Sequence, residues 1–197
     1  LLTVRWEEGV TPPGGTSYFM PRDDEIHLLG APEDRDEYDD PVILHEFGHF
    51  VEATFSRSDS PGGYHDGSPT DPRLAWGEGY GTFFGSVVSR SPQYIDTNIG
   101  GAIAYDLETM DTWNSYGWAN GVLLQRVSEE LVMAVLWDIY DSQSDGLDRL
   151  DGGSFPIFEV MASYFPAPAF DRLERGVTGV ELVDFLDGWF CRGHGYG

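Results

Sequence analysis

Residues 41–55 read Pro-Val-Ile-Leu-His-Glu-Phe-Gly-His-Phe-Val-Glu-Ala-Thr-Phe, and the stretch His45-Glu46-Phe47-Gly48-His49 within them decides the fold. Asp40 ahead of Pro41 suits a first helical turn, where the missing proline N–H has no partner to lose. The apolar residues Val42, Ile43, Leu44 and Phe47 predict a core helix from about Pro41 to Phe55. On that helix His45 and His49 lie about 40° apart around the axis and about 6 Å along it, so both imidazoles can reach one ion. Glu46 points beside that ion, where it can take a proton from a water held there. The competing reading is a buried helix with two hydrogen-bonded histidines. Such a helix must offset roughly 1–3 kcal/mol for each buried polar group left unpaired.

Working outward, residues 56–72 are rich in Ser, Gly, Pro and Asp and read as a long surface loop, a length that is often functional. His65 sits in it, within Gly63-Tyr64-His65-Asp66-Gly67, and is a candidate for touching substrate. A second helix is expected from about Arg73 to Ser89, carrying Trp76-Gly77-Glu78-Gly79-Tyr80-Gly81. A catalytic zinc normally takes three protein ligands and keeps one position open. Cys191 is the only cysteine, so any metal must be held by His and carboxylate. Glu78, 29 positions after His49, is the best candidate for the third ligand, against the plainer reading of a solvated helix acid. Gly77, Gly81 and Gly85 make a smooth stripe on which another helix could pack closely.

The chain opens with strand-like alternation at Leu2, Val4 and Trp6, and short strands are expected at Thr16–Met20 and Glu25–Leu29, the second an edge strand with which an extended peptide substrate could pair. Residues 30–40 read as an acidic connector, solvated rather than calcium-binding. The stretch from Ser91 to Gly121 is mixed, with a strand at Ala102–Leu107. The clearest helical period runs from Ser128 to about Tyr140, with Ser128 as N-cap. Two further helices are expected at Phe155–Tyr164 and Gly179–Phe190. The expected organisation is a single α+β domain over 1–197, with an N-terminal lobe to about residue 90, a mainly helical remainder from about 91, and a cleft between them. Asp141, Gln143, Asp145 and Gly146 could form the first half of a Ca2+ loop, but Gly152 stands where the closing glutamate is needed, so a solvated turn is the better reading.

Composition narrows the function. The 34 acidic residues against 11 basic ones give a formal net charge of −23. Nucleic acid needs Lys and Arg partners for its phosphates, so it is excluded as a partner. Docking on an anionic membrane surface is disfavoured for the same reason. No apolar run reaches the roughly 18–20 residues of a membrane span, and the opening Leu-Leu-Thr-Val-Arg-Trp has no signal-peptide pattern. A hydrophobic fraction of 41% is enough for an ordinary packed core.

The two metal motifs together resemble those of the gluzincin metallopeptidases, the thermolysin-like group in the broad sense. Glu-Gly-Tyr-Gly-Thr-Phe-Phe at 78–84 is similar to the Glu-Gly-Trp-Gly-Asp-Phe motif of fungalysin-like secreted peptidases. The segment Glu130–Tyr140 resembles the helix that closes the cleft in that group. This resemblance implies a zincin-like fold, with a small mixed N-terminal sheet over the HExxH helix. It implies Zn2+ held by His45, His49 and Glu78, Glu46 as general base, a peptide or protein substrate, and a secreted or extracytoplasmic setting. Two departures stand out. Thr82 occupies the place of an Asp that orients a ligand histidine in those relatives, so that orienting role is expected to be weakened or taken elsewhere. No histidine precedes the third helix to stabilise an oxyanion, and Arg126 is the first candidate replacement, with Tyr105, Tyr116 and His65 as others. The alternative to a peptidase is a catalytically weak zinc-binding domain with a binding or structural role.

Overall fold

A computed structural model describes residues 1–110, 116–119, 122–143, 150–167, 170 and 179–195. Three small sheets and five α-helices make up the described part, a mixed α+β fold. The first sheet joins β1 (Thr3–Arg5), β2 (Tyr18–Met20) and β3 (Glu25–His27) in the order β1-β3-β2. It is mixed, because β3 pairs parallel with β1 and antiparallel with β2. This corrects one expectation. The strand at 25–29 was to offer a free edge to a substrate, but β3 is the central strand and both its edges are taken. Ile26 is buried on this strand, and Phe19 of β2 meets Phe50 edge-on, which seats the sheet against the first helix.

The acidic connector is also more structured than its composition suggests. It contains β4 (Gly30–Ala31), β5 (Asp34–Arg35) and a 3-10 turn at Asp36–Tyr38. With β6 (Gln93–Asn98) and β7 (Gly101–Asp106) these form a second sheet in the order β4-β5-β6-β7. The third sheet pairs β8 (Tyr116–Ala119) with β9 (Val122–Val127). From 91 to 127 the described residues, which include most of the stretch that is mixed by composition, are thus largely antiparallel strand.

The helices fall where periodicity places them: α1 (Asp40–Phe55), α2 (Pro72–Ser89), α3 (Glu129–Tyr140), α4 (Ser154–Ser163) and α5 (Leu182–Cys191). Ser128 caps α3 by accepting from the Leu131 N–H, as expected. Asp71 caps α2 in the same way through the Arg73 N–H, with Pro72 in the first turn. α2 is buried nearly all round, the mark of a central helix. Its Trp76, Tyr80 and Phe83 pack with Val132 and Leu136 of α3, Ile157 of α4 and Phe185 of α5. Trp76 stacks on Phe185 at 5.4 Å between ring centres. Full burial of each such side chain contributes about 1.5–3 kcal/mol, so this core is what holds α2 in place beside α1. The acidic turn that begins at Asp141, weighed as a Ca2+ loop and read as solvated, falls largely on residues 144–149, outside the described residues.

Candidate metal centre

Two helices build the site, and glycine sets their spacing. A Cβ on Gly48 of α1 would lie 3.1 Å from the Gly81 Cα of α2, and one on Gly81 would lie 3.1 Å from His45 Cε1 and Nδ1. A Cβ on Gly85 would meet Leu44 Cβ at 3.3 Å. The glycine stripe of α2 therefore faces α1 at main-chain contact. Farther along the same interface, Glu52 of α1 accepts a hydrogen bond from Trp76 Nε1 at 2.9 Å.

This approach carries Glu78 to the two histidines. His45 Nε2 and His49 Nε2 lie 3.0 Å apart. Glu78 Oε2 is 3.2 Å from the first and 3.3 Å from the second. Ligand atoms at zinc bond lengths of 2.0–2.1 Å in tetrahedral geometry stand about 3.3 Å from one another. The triangle of donor atoms thus has the dimensions such an ion needs, and the N/N/O donor set suits zinc. His45 and Glu46 are buried, and His49 and Glu78 are half-buried.

Charge makes the site a favourable place for a cation. Burial opposes a proton on His49, yet the Glu78 carboxylate at hydrogen-bond distance, with Glu46 and Glu52 behind it, raises its pKa well above the ordinary histidine value. Burial works against the Glu78 charge too, and the two histidines overcome it, holding Glu78 well below the usual carboxylate range. Glu52 has its pKa pushed up to about 7, chiefly by burial, with His49 and the Trp76 hydrogen bond opposing. Three carboxylates around two imidazoles leave the centre short of positive charge.

Thr82 departs from the expectation that its role would be weakened. Its Oγ1 lies 3.0 Å from His45 Nδ1, and both residues are buried. In the tautomer in which Nδ1 donates to Thr82, the His45 Nε2 lone pair faces His49 and Glu78. The hydroxyl orients the ring as a carboxylate does elsewhere.

His65 is brought to the same centre. Its Nε2 stands 3.4 Å from Glu78 Oε2, and its Nδ1 approaches Glu129 Oε2 at 2.7 Å, off the N–H direction. The Glu129 carboxylate also accepts from the Gly67 N–H at 3.0 Å, which fixes the loop that carries His65. Glu129 is the main reason that the pKa of His65 is raised, against the pull of burial. Glu129 gave no signal in the sequence, since an acid after a helix N-cap reads as a favourable charge at the helix dipole. Tyr105 lies one strand away, its ring 6.0 Å from Tyr94, whose own ring is 6.2 Å from His45. Tyr94 was not among the expected site residues. Burial first, then nearby acids including Asp96 and Glu46, pushes its phenol pKa far up, so it stays neutral. The Arg126 and Tyr116 side chains lie outside the described residues. The backbone next to Arg126 joins the His65 loop, Val127 pairing with Thr70 in a bridge.

Fold and site together define a mixed α+β domain that presents two histidines and a glutamate from adjacent helices. The chain belongs to the family described as the Mycolysin C-terminal domain, which matches residues 1–169 and so spans His45, His49 and Glu78. That domain is found in secreted peptidases and is associated with metallopeptidases. The match is to a C-terminal domain and not to a gluzincin catalytic domain, so the link to metallopeptidases is what it shares with the resemblance read from the motifs. No curated protein and no solved structure matches the chain. Among the described residues, no helix is long and apolar enough to cross a membrane.

Proposed function

We propose that this chain is a zinc-dependent peptidase unit of zincin-like, gluzincin type, acting on an extended peptide outside the cytoplasm. The observation that carries this reading is the triangle of donor atoms from His45, His49 and Glu78, with sides of 3.0–3.3 Å. These three residues would hold the metal. A bound zinc supplies Lewis-acid polarisation of the scissile carbonyl and lowers the pKa of the attacking water. Glu46 lies one residue beyond His45 on α1, where it accepts the proton of that water and delivers it to the leaving amine. Thr82 holds His45 in the required tautomer. His65, anchored by Glu129, stands beside Glu78 and donates a hydrogen bond to the developing oxyanion, the role that Arg126 was first expected to fill. The whole chain then forms one catalytic unit, with substrate lying between its N-terminal and helical halves.

A second reading, a zinc-binding domain with little turnover, is favoured by the family description as a C-terminal domain. Zinc content and cleavage of a peptide library, measured for the native chain and for Glu46→Gln, separate the two. About one zinc per chain in both proteins, with cleavage by the native chain alone, supports the peptidase. Zinc in both with cleavage by neither supports the binding domain. No zinc in either refutes both.

A further inference from the structure

A second cluster of ligand-type side chains lies apart from the histidine site. Asp34 of β5, Asp36 at the start of the 3-10 turn and Asp96 of β6 each offer a carboxylate oxygen, and these oxygens lie within 4.8 Å of one another. Asp36 is only 3% exposed. Its Oδ2 accepts from Ser17 Oγ at 2.5 Å, but its buried Oδ1 has no hydrogen-bond partner. The same holds for Asp34 Oδ1 and Asp96 Oδ1, both buried and unpartnered. A cluster in which each carboxylate keeps a buried oxygen without a partner is a different matter from an acidic surface. A buried acceptor left unpaired costs about 1–3 kcal/mol, and more when charged.

A proton shared between the Asp34 and Asp36 carboxyl groups relieves this only in part. Asp39 adds a fourth negative charge nearby, and its own oxygens are already engaged by the Thr97 N–H at 2.8 Å and the Thr97 hydroxyl. Among the described residues, no ion pair to Lys, Arg or His involves Asp34, Asp36 or Asp96. Burial, then the neighbouring acids Asp36 and Asp39, pushes the pKa of Asp96 up to about 6. Burial likewise pushes Asp36 up to about 6, against the Ser17 hydrogen bond and with Asp34 and Asp39 adding to it.

We propose that Asp34, Asp36 and Asp96 bind one calcium ion. The donor set is all oxygen, which selects a hard cation over zinc. Three oxygens spaced evenly around one ion stand about 4.0–4.5 Å apart at Ca2+ bond lengths of 2.3–2.6 Å and only about 3.5–3.6 Å apart at the 2.0–2.1 Å of Mg2+, so a cluster whose oxygens all lie within 4.8 Å of one another suits the larger ion. Asp34 and Asp96 are half-buried, so solvent at the rim completes the coordination. The ion ties the turn that leads into α1 to β6, the strand that carries Tyr94 against His45.

The test is a calorimetric titration of Ca2+ into the full, chelator-treated and zinc-replenished chain, with melting temperature as a second readout. The expected result is one saturable site, with Kd of about 0.1–1 mM as in extracellular calcium modules, and a melting temperature that rises with calcium. Asp96→Asn and Asp34→Asn should each weaken binding at least about tenfold, the loss of one charged ligand being worth about 1.4 kcal/mol or more. In calcium-free buffer both variants should melt no lower than the native chain, since each removes a like charge. Glu78→Gln should bind calcium as the native chain does. No saturable binding up to about 10 mM, ten times the weak end of that range, overturns the proposal. So does unchanged affinity in both Asp variants, a lower melt of both in calcium-free buffer, or loss of the calcium response in Glu78→Gln.

Discussion

Replacing Thr82 by valine tests whether the hydroxyl beside His45 sets the metal centre. Valine keeps the branched shape and nearly the same volume, so the close fit of α1 on α2 is preserved and the main change is the lost acceptor. The group left behind is His45 Nδ1, 3.0 Å from Thr82 Oγ1 and buried with it. An unpartnered buried N–H costs about 1–3 kcal/mol, and the imidazole gains freedom to flip tautomer or rotate. Losing such a partner behind a metal ligand weakens metal binding by about 10–100-fold, or roughly 1.4–2.8 kcal/mol at 1.4 kcal/mol per decade. Zinc affinity is read by competition with a chromophoric chelator at neutral pH, and Thr82→Ser serves as the control that keeps the oxygen. The expected order is native close to Thr82→Ser, with Thr82→Val well below both. A Thr82→Val affinity within about twofold of native, far short of the 10-fold minimum, would show that the hydroxyl does not orient the ring.

Two further substitutions probe other parts of the argument. His65→Ala should leave zinc content unchanged while turnover falls about 10²–10³-fold, the usual cost of removing an oxyanion donor; undiminished turnover, or loss of the zinc, rules out that role. Gly79→Ala would place a Cβ 2.5 Å from Val132 Cβ and 2.7 Å from the Glu129 carbonyl oxygen, so α3 must move. Overpacking of this kind costs about 1–3 kcal/mol, more than the roughly 1 kcal/mol gained in helix propensity. The melting temperature should drop by about 2–4 °C per net kcal/mol, and an unchanged or higher melt would mean that α2 and α3 are not in backbone contact there.

The sequence made the helices legible because a period of 3.6 residues and a four-residue histidine spacing are local properties. Both α1 and α2 begin within a residue of where Pro41 and Arg73 place them. Other parts depend on distant partners. β4 and β5 are two residues each and exist through pairing, Asp34 facing Asn98 more than sixty positions on. For the same reason a Glu25–Leu29 strand could be foreseen while its central place in the sheet could not. His65 joined the centre only because its loop is pinned by Glu129 and by the Thr70–Val127 bridge, neither of which leaves a mark in local pattern. Asp34 and Asp36 read as a solvated connector until folding set Asp96 beside them.

The contact between Gly48 and Gly81 has a consequence for which metals the proposed centre would accept. Where helices are held apart by side chains, a rotamer change can widen or narrow the gap between ligands. Here the two backbones touch, so α1 and α2 cannot come closer, and the aromatic core behind α2 keeps them from separating. The donor triangle is therefore a fixed gauge. Ions with bonds near 2 Å fit it as it stands, while a larger ion must pry the helices apart against the packed core. Selection by size, which ligand chemistry alone does not provide among divalent metals, would in this fold be a property of two glycines.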